Sequence, residues 1–469
     1  MIAREYAPPP WTARRAPLSA KEYSTFDAVL QITDSRPSPH ASLIAVAARK
    51  RGGDDPAFCT LRGGTAIVQM RWRKTGAVFT RLESCRRHWA QLASADKIAV
   101  DIRVPAAAQI AVFAILAAAA ALPGDSRKPR RLLFAGCDKK IASAAAAAAA
   151  ANILARSLCR LPPNVLTADA FAKTAKTLAG QRRLTTTVFD SQQLKKMGAG
   201  AILAAGRAAE HSPRIVRVRY AAGAKAPRAV FVGKGVCYDT GGVNVKPARQ
   251  MRGMKKDMAG AAAALSAVLA AAECRLPVNA DAYLALAENA GGPLAYRPDD
   301  VVSSLSGKSI EVVHSDAEGR MILADALTLA TRRTPDAALF VSFATLTGTM
   351  HTALGERMSG VFASKAEWLR KAQVAADASG ERLCAFPLAD DYRKNLDSDV
   401  ADIKQCAEEG AADHILAALF LREFMEGEPP WLHLDLSAAS CKGGLGAAPG
   451  PETGFGAVWG LELLKQIAA

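Results

Sequence analysis

The chain has 469 residues, of which half are apolar and 22% are charged, and 60 Lys and Arg against 44 Asp and Glu give a formal net charge of +16. This composition is that of a globular protein with a sizeable core, and it excludes the collagen-like, disordered and coiled-coil classes. At roughly 150 residues per domain, the length predicts two or three domains.

The basic excess lies mainly in the first third of the chain. Residues 1–150 hold 23 Lys and Arg and 11 Asp and Glu, a balance of +12, whereas the remaining residues have a balance of +4. Such a surface can bind nucleic acid, although a solvated basic face is the simpler explanation. The nine cysteines include no Cys-x-x-Cys pair, which favours a reducing cytosol over a disulfide framework or a zinc ribbon. No apolar run follows the N-terminal charges, so a secretory signal is not expected.

Short strands and alanine-rich helices alternate in this first third. Strands are predicted at 27–33, 42–48, 65–72, 76–82, 97–103 and 131–135, and helices at 104–122 and about 141–160. The uncharged run 104–122 is nearly long enough to span a membrane, but ten of its nineteen residues are alanine, a weak hydrophobe, and Pro105 lies near its start. We therefore expect a buried helix, no membrane association and a small α/β domain over residues 1–150.

Strands and helices also alternate after Pro162 and Pro163, which end the preceding helix. Strands are predicted at 185–189, 214–220, 229–233, 278–286, 338–342 and 431–436, and helices near 258–273, 319–333 and 411–426. This pattern predicts a larger α/β domain over residues 160–469, with a mixed, mainly parallel central sheet flanked by helices.

Two stretches place charged residues in a loop after a strand and at the start of a helix. The first, VGKGVCYDTGGVNVKP from residue 232, runs into a glycine-rich loop with Lys234, Asp239 and Lys246, and it lacks the spacing of a phosphate-binding loop. In the second, MKKDMAGAAAAL from residue 254, Asp257 precedes a helix. An aspartate in that position can act functionally or simply complement the helix dipole.

A third stretch, HSDAEGRMILADAL from residue 314, alternates Asp316, Glu318 and Arg320 before an apolar helical run. In an extended segment the three side chains would point the same way, whereas the two acids could also be helix-capping residues. Parallel α/β sheets bind ligands at strand ends, so the four carboxylates of these stretches are expected to converge. Converging carboxylates repel one another unless cations neutralise them, and two divalent ions would balance their charge. The helical His-x-x-x-His zinc protease motif is absent.

These three stretches resemble the leucyl aminopeptidases, exopeptidases with two metal ions and an α/β catalytic domain. The resemblance runs from about residue 160 to the end of the chain, and it includes ATLTGTMHTALG (344–355), WLHLDLSAAS (431–440) and TGFG (453–456). The first third resembles the smaller α/β domain of the family in size and element order but has no diagnostic motif.

The resemblance implies five metal ligands for two divalent ions, Zn²⁺ or Mn²⁺ and possible alternatives Mg²⁺ or Co²⁺. Asp239 and Glu318 would bridge the ions, Asp316 would complete one site, and Lys234 and Asp257 would complete the other. A lysine ligand must be a neutral amine, so burial beside two dications is expected to depress its pKa.

The resemblance also implies how the site acts. Lys246 would polarise the scissile carbonyl and stabilise the oxyanion, and Arg320 would hold a bicarbonate-type anion as general base. Met254 would line an apolar side-chain pocket, with core packing as the alternative. The backbone groups of Thr345, Leu346 and Gly348 would contact the substrate.

The chain departs from many relatives near these positions. The segment CAEEGAADH (406–414) stands where relatives have a glycine-rich turn, and residues 437–440 read Ser-Ala-Ala-Ser instead of Ala-Gly-Thr-Ala. His314 and Ser315 replace Asn or Thr before the acidic core, and we expect His314 to be a supporting residue and not a sixth ligand. These departures leave the metal and catalytic positions intact but put the substrate preference in doubt.

The leading hypothesis is a cytoplasmic, homohexameric metallo-aminopeptidase that removes N-terminal, leucine-like residues from short peptides. The alternative is a DNA-binding architectural or regulatory protein of the same family, with or without peptidase activity. Its basic patch would comprise Arg71, Arg73, Lys74 and Arg81 on neighbouring predicted strands.

Overall fold

The computed structural model describes residues 7–19, 21–34, 57–60, 65–72, 76–92, 95–126 and 131–469. The strand predicted at 42–48 lies outside these residues. The six strands of the first sheet are β1 (Trp11–Arg14), β2 (Ala28–Thr33), β3 (Ala57–Thr60), β4 (Ala66–Arg71), β5 (Lys97–Ile102) and β6 (Arg131–Ala135). Their order is β1-β6-β5-β2-β4-β3, and among these strands only β3 pairs antiparallel to its neighbour.

The remaining strands form a large central sheet and a small one. They are β7 (Thr185–Phe189), β8 (Arg214–Tyr220), β9 (Arg228–Asp239), β10 (Asn279–Asn289), β11 (Val301–Ser303), β12 (Ser309–Glu311), β13 (Leu339–Ala344), β14 (Ser359–Ala363), β15 (Leu383–Ala385), β16 (Ile403–Lys404) and β17 (Trp431–Asp435). The large sheet has the order β15-β14-β17-β13-β9-β10-β8-β7, and the small one the order β11-β12-β16. The four central strands β17, β13, β9 and β10 are parallel, and antiparallel pairs flank them, as the predicted mixed sheet requires.

The helices cover the faces of these sheets. They are α1 (Val78–Ala90), α2 (Ala108–Ala119), α3 (Lys139–Arg160), α4 (Ala168–Gln181), α5 (Ser191–Met197), α6 (Gly200–Gly206), α7 (Ala248–Met251), α8 (Ala259–Glu273), α9 (Glu318–Arg333), α10 (Gly348–Leu354), α11 (Ala366–Ser379), α12 (Asp413–Arg422) and α13 (Ala457–Ala468). The predicted α/β class is confirmed, as are the strands and helices predicted after residue 160.

The strand predicted at 76–82 is wrong, because helix α1 begins at Val78. This helix buries Leu82, Cys85 and Trp89, which are spaced by three and four residues as in an amphipathic helix. The predicted segment 76–82 was too short to include this spacing. Arg81 therefore lies on a helix, with its guanidinium carbon 4.9 Å from the centre of the Trp72 ring. It is not on a strand beside Arg71, and Arg73 and Lys74 lie outside the described residues.

Helix α3 spans the boundary predicted at residue 150 and packs against both α2 and α8. The division into two domains remains a prediction. Among the described residues, α3 is the one helix long and apolar enough to cross a membrane, and 78% of its apolar window is buried within the protein. The run 104–122 forms a short 3-10 turn and the 12-residue helix α2, which is mostly buried. A spanning helix needs about 20 residues, so α2 fits the predicted core helix.

Helix α8 packs directly against the backbone of the central sheet. A methyl group on Gly260, in its first turn, would overlap the carbonyl group of Phe343 in β13 and would approach the backbone nitrogen of Lys234 in β9 to 3.1 Å. The absence of a side chain at Gly260 therefore sets the distance between α8 and the two strands. This distance also fixes the position of Asp257, which lies two residues before the helix.

We expect Gly260→Ala to destabilise the protein by about 1–3 kcal/mol, because backbone atoms on both sides must move to admit the methyl group. Gly180→Ala in helix α4 is the matched control, since a methyl group there meets no atom within 4 Å. That change should be neutral or stabilising by up to about 1 kcal/mol, because alanine is the better helix former. Urea unfolding followed by circular dichroism measures both, and equal midpoints for the two variants would contradict the packing argument.

Candidate active site

The carboxyl ends of the four central parallel strands lie along one edge of the large sheet. Strand β9 ends at Asp239 and β10 at Asn289, and these two residues are paired in the register of the strands. Strand β13 leads into Thr345, and β17 ends at Asp435. Because parallel strands bring their carboxyl ends together, four polar residues distant in sequence meet here.

Lys234 is buried in the middle of β9, directly after the last residue of that strand that pairs with β13. Its Nζ lies 2.8 Å from Asp257 Oδ2 and 2.9 Å from Glu318 Oε1, and it donates a hydrogen bond of 2.9 Å to the carbonyl oxygen of Thr345. Burial lowers the pKa of Lys234, but the attraction of Asp257, Glu318 and Asp239 outweighs it and raises the pKa well above its ordinary value. The lysine is therefore a charged ammonium in this arrangement, and it must lose a proton to become a metal ligand.

Lys246 closes the cluster on the other side, on the loop that follows β9. Its Nζ lies 2.8 Å from Asp239 Oδ2 and 2.5 Å from Asp316 Oδ1. Its side chain is 14% exposed, compared with 4% for Lys234. Of the two lysines, Lys246 is thus the one more open to a bound molecule.

The predicted convergence of Asp239, Asp257, Asp316 and Glu318 is found in the structure. Oxygen atoms of Asp239, Asp316 and Glu318 lie within 4.8 Å of one another, and Asp257 reaches the same Lys234 ammonium as Glu318. Burial, and then the negative charge of Asp239, raise the pKa of Glu318 to about 8. Burial raises the pKa of Asp257 to about 6. Four carboxylates against two ammonium groups leave an excess of negative charge, which favours the binding of cations.

Of the two alternatives for Asp316, Glu318 and Arg320, the extended segment is not the one found. Residues Ser315–Ala317 form a 3-10 turn, and helix α9 begins at Glu318, so these residues do not share one face. Asp316 and Glu318 still reach the cluster, whereas the contacts of Arg320 are with Asp413 and the carbonyl oxygen of Gln405. The backbone N–H of Asp316 donates to His314 Nδ1 at 3.2 Å, so His314 stabilises the turn, as expected of a supporting residue.

Arg320 is buried, and its guanidinium is held by Asp413. Its Nη2 lies 2.8 Å from both Asp413 Oδ1 and Asp413 Oδ2, and its Nη1 donates to the carbonyl oxygen of Gln405 at 3.1 Å. The bicarbonate-type anion implied by the resemblance therefore meets a guanidinium that already carries a carboxylate. A free anion does not fit this arrangement.

The loop after β13 contains Thr345 and Leu346 and ends at Gly348, the first residue of α10. Thr345 Oγ1 donates to Asp257 Oδ1 at 2.7 Å, which joins this loop to the cluster. Asp435 fixes this loop through two hydrogen bonds: it accepts the backbone N–H of Leu346 at 3.0 Å and the hydroxyl of Thr347 at 2.6 Å.

The remaining predicted pocket residue, Met254, is half-buried. It lies in a 3-10 turn three residues before Asp257.

Three residues of the site were missed by sequence reasoning. Asn289 Nδ2 donates to Asp239 Oδ1 at 2.8 Å and to Glu318 Oε2 at 3.3 Å, so it links the two carboxylates predicted to bridge the metals. Its position at the carboxyl end of a predicted parallel strand was a usable signal. Asp435 had the same signal, at the end of the strand predicted at 431–436. Asp413 had none, because it lies in a segment that departs from the family pattern.

The donor set fits divalent metal ions. Asp257 Oδ2, Glu318 Oε1 and Asp316 Oδ1 are buried, and lysine ammonium groups are the polar contacts found for them within the described part of the chain. Carboxylate oxygens beside one potentially neutral amine suit Zn²⁺, Mn²⁺ or Mg²⁺. The observed cluster thus offers the ligands that the resemblance implies.

Solved structures with the same overall fold include metal-binding and aminopeptidase proteins. A bottromycin maturation enzyme, BotP, in complex with Mn is 29% identical, with a TM-score of 0.87 over 94% of this chain and 100% of that one. A mutant of tomato leucine aminopeptidase is 26% identical, with a TM-score of 0.85 over 98% of this chain and 97% of that one.

Sequence comparisons point the same way. A probable cytosol aminopeptidase of Syntrophotalea carbinolica is 42% identical over 315 residues, which are 67% of this chain and 63% of that relative. The chain thus matches less than two thirds of that relative's length. Residues 153–459 match the catalytic-domain model of the cytosol aminopeptidase family. The resemblance seen in the motifs is confirmed, and the chain belongs to the cytosol aminopeptidase family.

Proposed function

We propose that the protein is a metal-dependent aminopeptidase that removes the N-terminal residue of short peptides. The observation that carries this proposal is the largely buried cluster of four carboxylates and two lysines at the carboxyl edge of the central sheet. A cluster with excess negative charge binds divalent cations, and membership of the cytosol aminopeptidase family supports peptide hydrolysis as the use made of them.

In this proposal Asp239 and Glu318 would be ligands of both divalent ions, Asp316 would also hold one of them, and Lys234 and Asp257 would also hold the other. Metal ions held by these residues would supply a water molecule of lowered pKa as the nucleophile and a partner for the free α-amine of the substrate. Asn289 keeps the two bridging carboxylates in register through its amide group. The Mn²⁺ in BotP supports manganese as one usable ion, beside Zn²⁺, Mg²⁺ and Co²⁺.

Lys246 stabilises the charge that develops on the scissile carbonyl oxygen. Its ammonium lies at the more open side of the cluster and contacts carboxylates of both Asp239 and Asp316, which keep it protonated. Burial lowers the pKa of Lys246, but these carboxylates outweigh burial and raise it above its ordinary value. A fixed positive charge in a water-poor site is the arrangement that stabilises an oxyanion.

The loop of Thr345, Leu346 and Gly348 presents backbone groups to the peptide. Asp435 and the Thr345–Asp257 hydrogen bond support this role, because they fix the loop relative to the cluster. Met254 adapts to apolar side chains such as that of leucine. The homohexamer, the cytoplasmic location and the DNA-binding alternative remain predictions of the resemblance and of the charge distribution.

We expect chelator-stripped protein to regain hydrolysis of leucyl-p-nitroanilide and short peptides when Mn²⁺, Zn²⁺, Co²⁺ or Mg²⁺ is added. Lys246→Ala should lower kcat by about 10²–10³-fold, because it removes one oxyanion-stabilising group, while the metal content stays unchanged. Asp257→Ala should lose activity together with one bound metal ion.

Metal content by plasma mass spectrometry separates these two effects. Lys225→Ala is the control, because this exposed lysine precedes the opposite end of β9. Bound metal without turnover on any substrate of the panel would refute the aminopeptidase proposal, and duplex DNA binding at low salt would then be tested.

We expect Asn289→Ala to weaken metal binding by about 10–100-fold, the usual cost of removing a residue that orients metal ligands. Asn279→Ala is a matched control, because Asn279 lies at the opposite end of the same strand and donates to the carbonyl oxygens of Gly223 and Ala226. Calorimetric titration in metal buffers measures both affinities. Unchanged affinity in Asn289→Ala would show that its amide does not organise the site.

A further inference from the structure

Arg320 lies two residues after Glu318 in helix α9, and 2% of it is exposed. A buried guanidinium needs a negative partner, because an isolated charge in the protein interior is strongly unfavourable. Asp413 supplies that partner, with both carboxylate oxygens 2.8 Å from Nη2. The contact links residues 93 positions apart in sequence, so it is a feature of the fold and not of the local chain.

Asp413 is held in this position by its own helix. It is the first residue of α12, where a negative charge is favoured by the unpaired backbone N–H groups of the helix. The next residue, His414, receives support from helix α10, because its backbone N–H donates to Thr349 Oγ1 at 3.0 Å and its Nδ1 lies 3.1 Å from the same oxygen. The carboxylate is therefore fixed between the helix that carries Glu318 and the helix that follows the proposed substrate loop.

The chain reaches this arrangement at a conformational cost. Ala412, directly before α12, has a left-handed backbone with φ of 52°, which is unfavourable for a residue with a side chain. The strain occurs in the segment 406–414, where the sequence departs from the glycine-rich turn of many relatives. The departure and the Asp413 contact thus belong to one local change in the chain.

A free bicarbonate-type anion has no suitable place on this guanidinium. The Gln405 carbonyl accepts one N–H of Nη1, and both oxygens of Asp413 lie on Nη2, which leaves the Nε N–H and the second Nη1 N–H as donors. Each bidentate fork with which arginine binds a small oxyanion includes an N–H of Nη2, so these two donors do not form one. An additional anion on this guanidinium would also be repelled by the carboxylate of Asp413.

We propose that Asp413 is a built-in substitute for the free anion: its carboxylate takes the place on Arg320 that the resemblance assigns to a bicarbonate-type anion, so that the protein requires no bicarbonate. This inference rests on the proposed aminopeptidase function. Asp413 acts through Arg320 and is a positioning residue in this arrangement. Removal of its carboxylate should open a pocket on Arg320 with the charge and size for formate or bicarbonate.

Anion binding and turnover are measured on the metal-loaded protein, its Asp413→Gly and Asp413→Asn variants, and the control Glu409→Gly. Glu409 lies in the same segment and is exposed, so its replacement removes an equal charge without freeing Arg320. In carbon-dioxide-free buffer, the parent protein and the control should be fully active and show no calorimetric binding of bicarbonate or formate.

Asp413→Gly should lose about 10–100-fold in activity, as expected for a residue that orients an active-site group. Millimolar formate or bicarbonate should restore its activity and should bind with measurable heat. Asp413→Asn should lose activity without rescue, because the amide fills the space that the anion needs. Rescue by a small anion distinguishes this role from a purely structural one.

The proposal is overturned if bicarbonate binds to or stimulates the parent protein, or if Asp413→Gly is fully active without an anion. A folded Asp413→Gly that cannot be rescued overturns it as well, and circular dichroism together with calorimetric metal binding establishes that the variant is folded. Should that variant fail to fold, anion binding by the parent protein still decides the question. Calorimetry also distinguishes failure of this proposal from failure of the proposed function. If the parent protein is inactive and binds no bicarbonate, only the aminopeptidase assignment is contradicted.

Discussion

Electrostatic repulsion among four carboxylates at one edge of the central sheet is the constraint on which the site depends. Asp239, Asp257, Asp316 and Glu318 are brought together from three separate stretches of the chain, and the burial of Asp239, Asp257 and Glu318 removes the water that would screen their charges. Burial, and then the negative charge of Asp239, raise the pKa of Glu318 to about 8. Lysine ammonium groups offset part of the charge, and the remaining excess is the physical reason for expecting bound metal ions.

The fold meets this constraint by placing rigid backbone around the cluster. Parallel strands fix Asp239, Asn289 and Asp435 along one edge, while α8 and α9 bring in Asp257 and Glu318. Close contacts require small residues at particular positions. A methyl group on Gly319, directly after Glu318, would lie 2.7 Å from Lys234 Nζ, so the glycine leaves room for the lysine among the carboxylates. The close packing at Gly319 therefore also allows Lys234 to offset the charge of the carboxylates.

Sequence reasoning succeeded where a signal was local and periodic. The strands Thr185–Phe189 and Arg214–Tyr220 were predicted with the observed bounds, and the carboxylates were found because each lies at the end of an element. It failed at 76–82, where a window of seven residues cannot distinguish a helix from a strand. The contacts of Asn289 with Glu318 and of Asp413 with Arg320 join residues 29 and 93 positions apart, and no local pattern encodes such pairs.

Two departures from the family pattern, residues 406–414 and 437–440, lie beside the proposed substrate loop, and the third, His314 and Ser315, lies next to the carboxylate cluster without replacing one of its carboxylates. Ser437 Oγ donates to the carbonyl oxygen of Met358 at 2.6 Å, directly after the strand whose last residue, Asp435, holds the loop. Segment 406–414 reaches the same region through the contact of His414 with Thr349. The cluster itself is carried by β9, α9 and the residues next to them, which these segments do not replace. The sequence differences therefore lie in the residues that surround the carboxylates. There they can alter the choice of substrate and the partner of Arg320, while the groups proposed to bind metal stay in place.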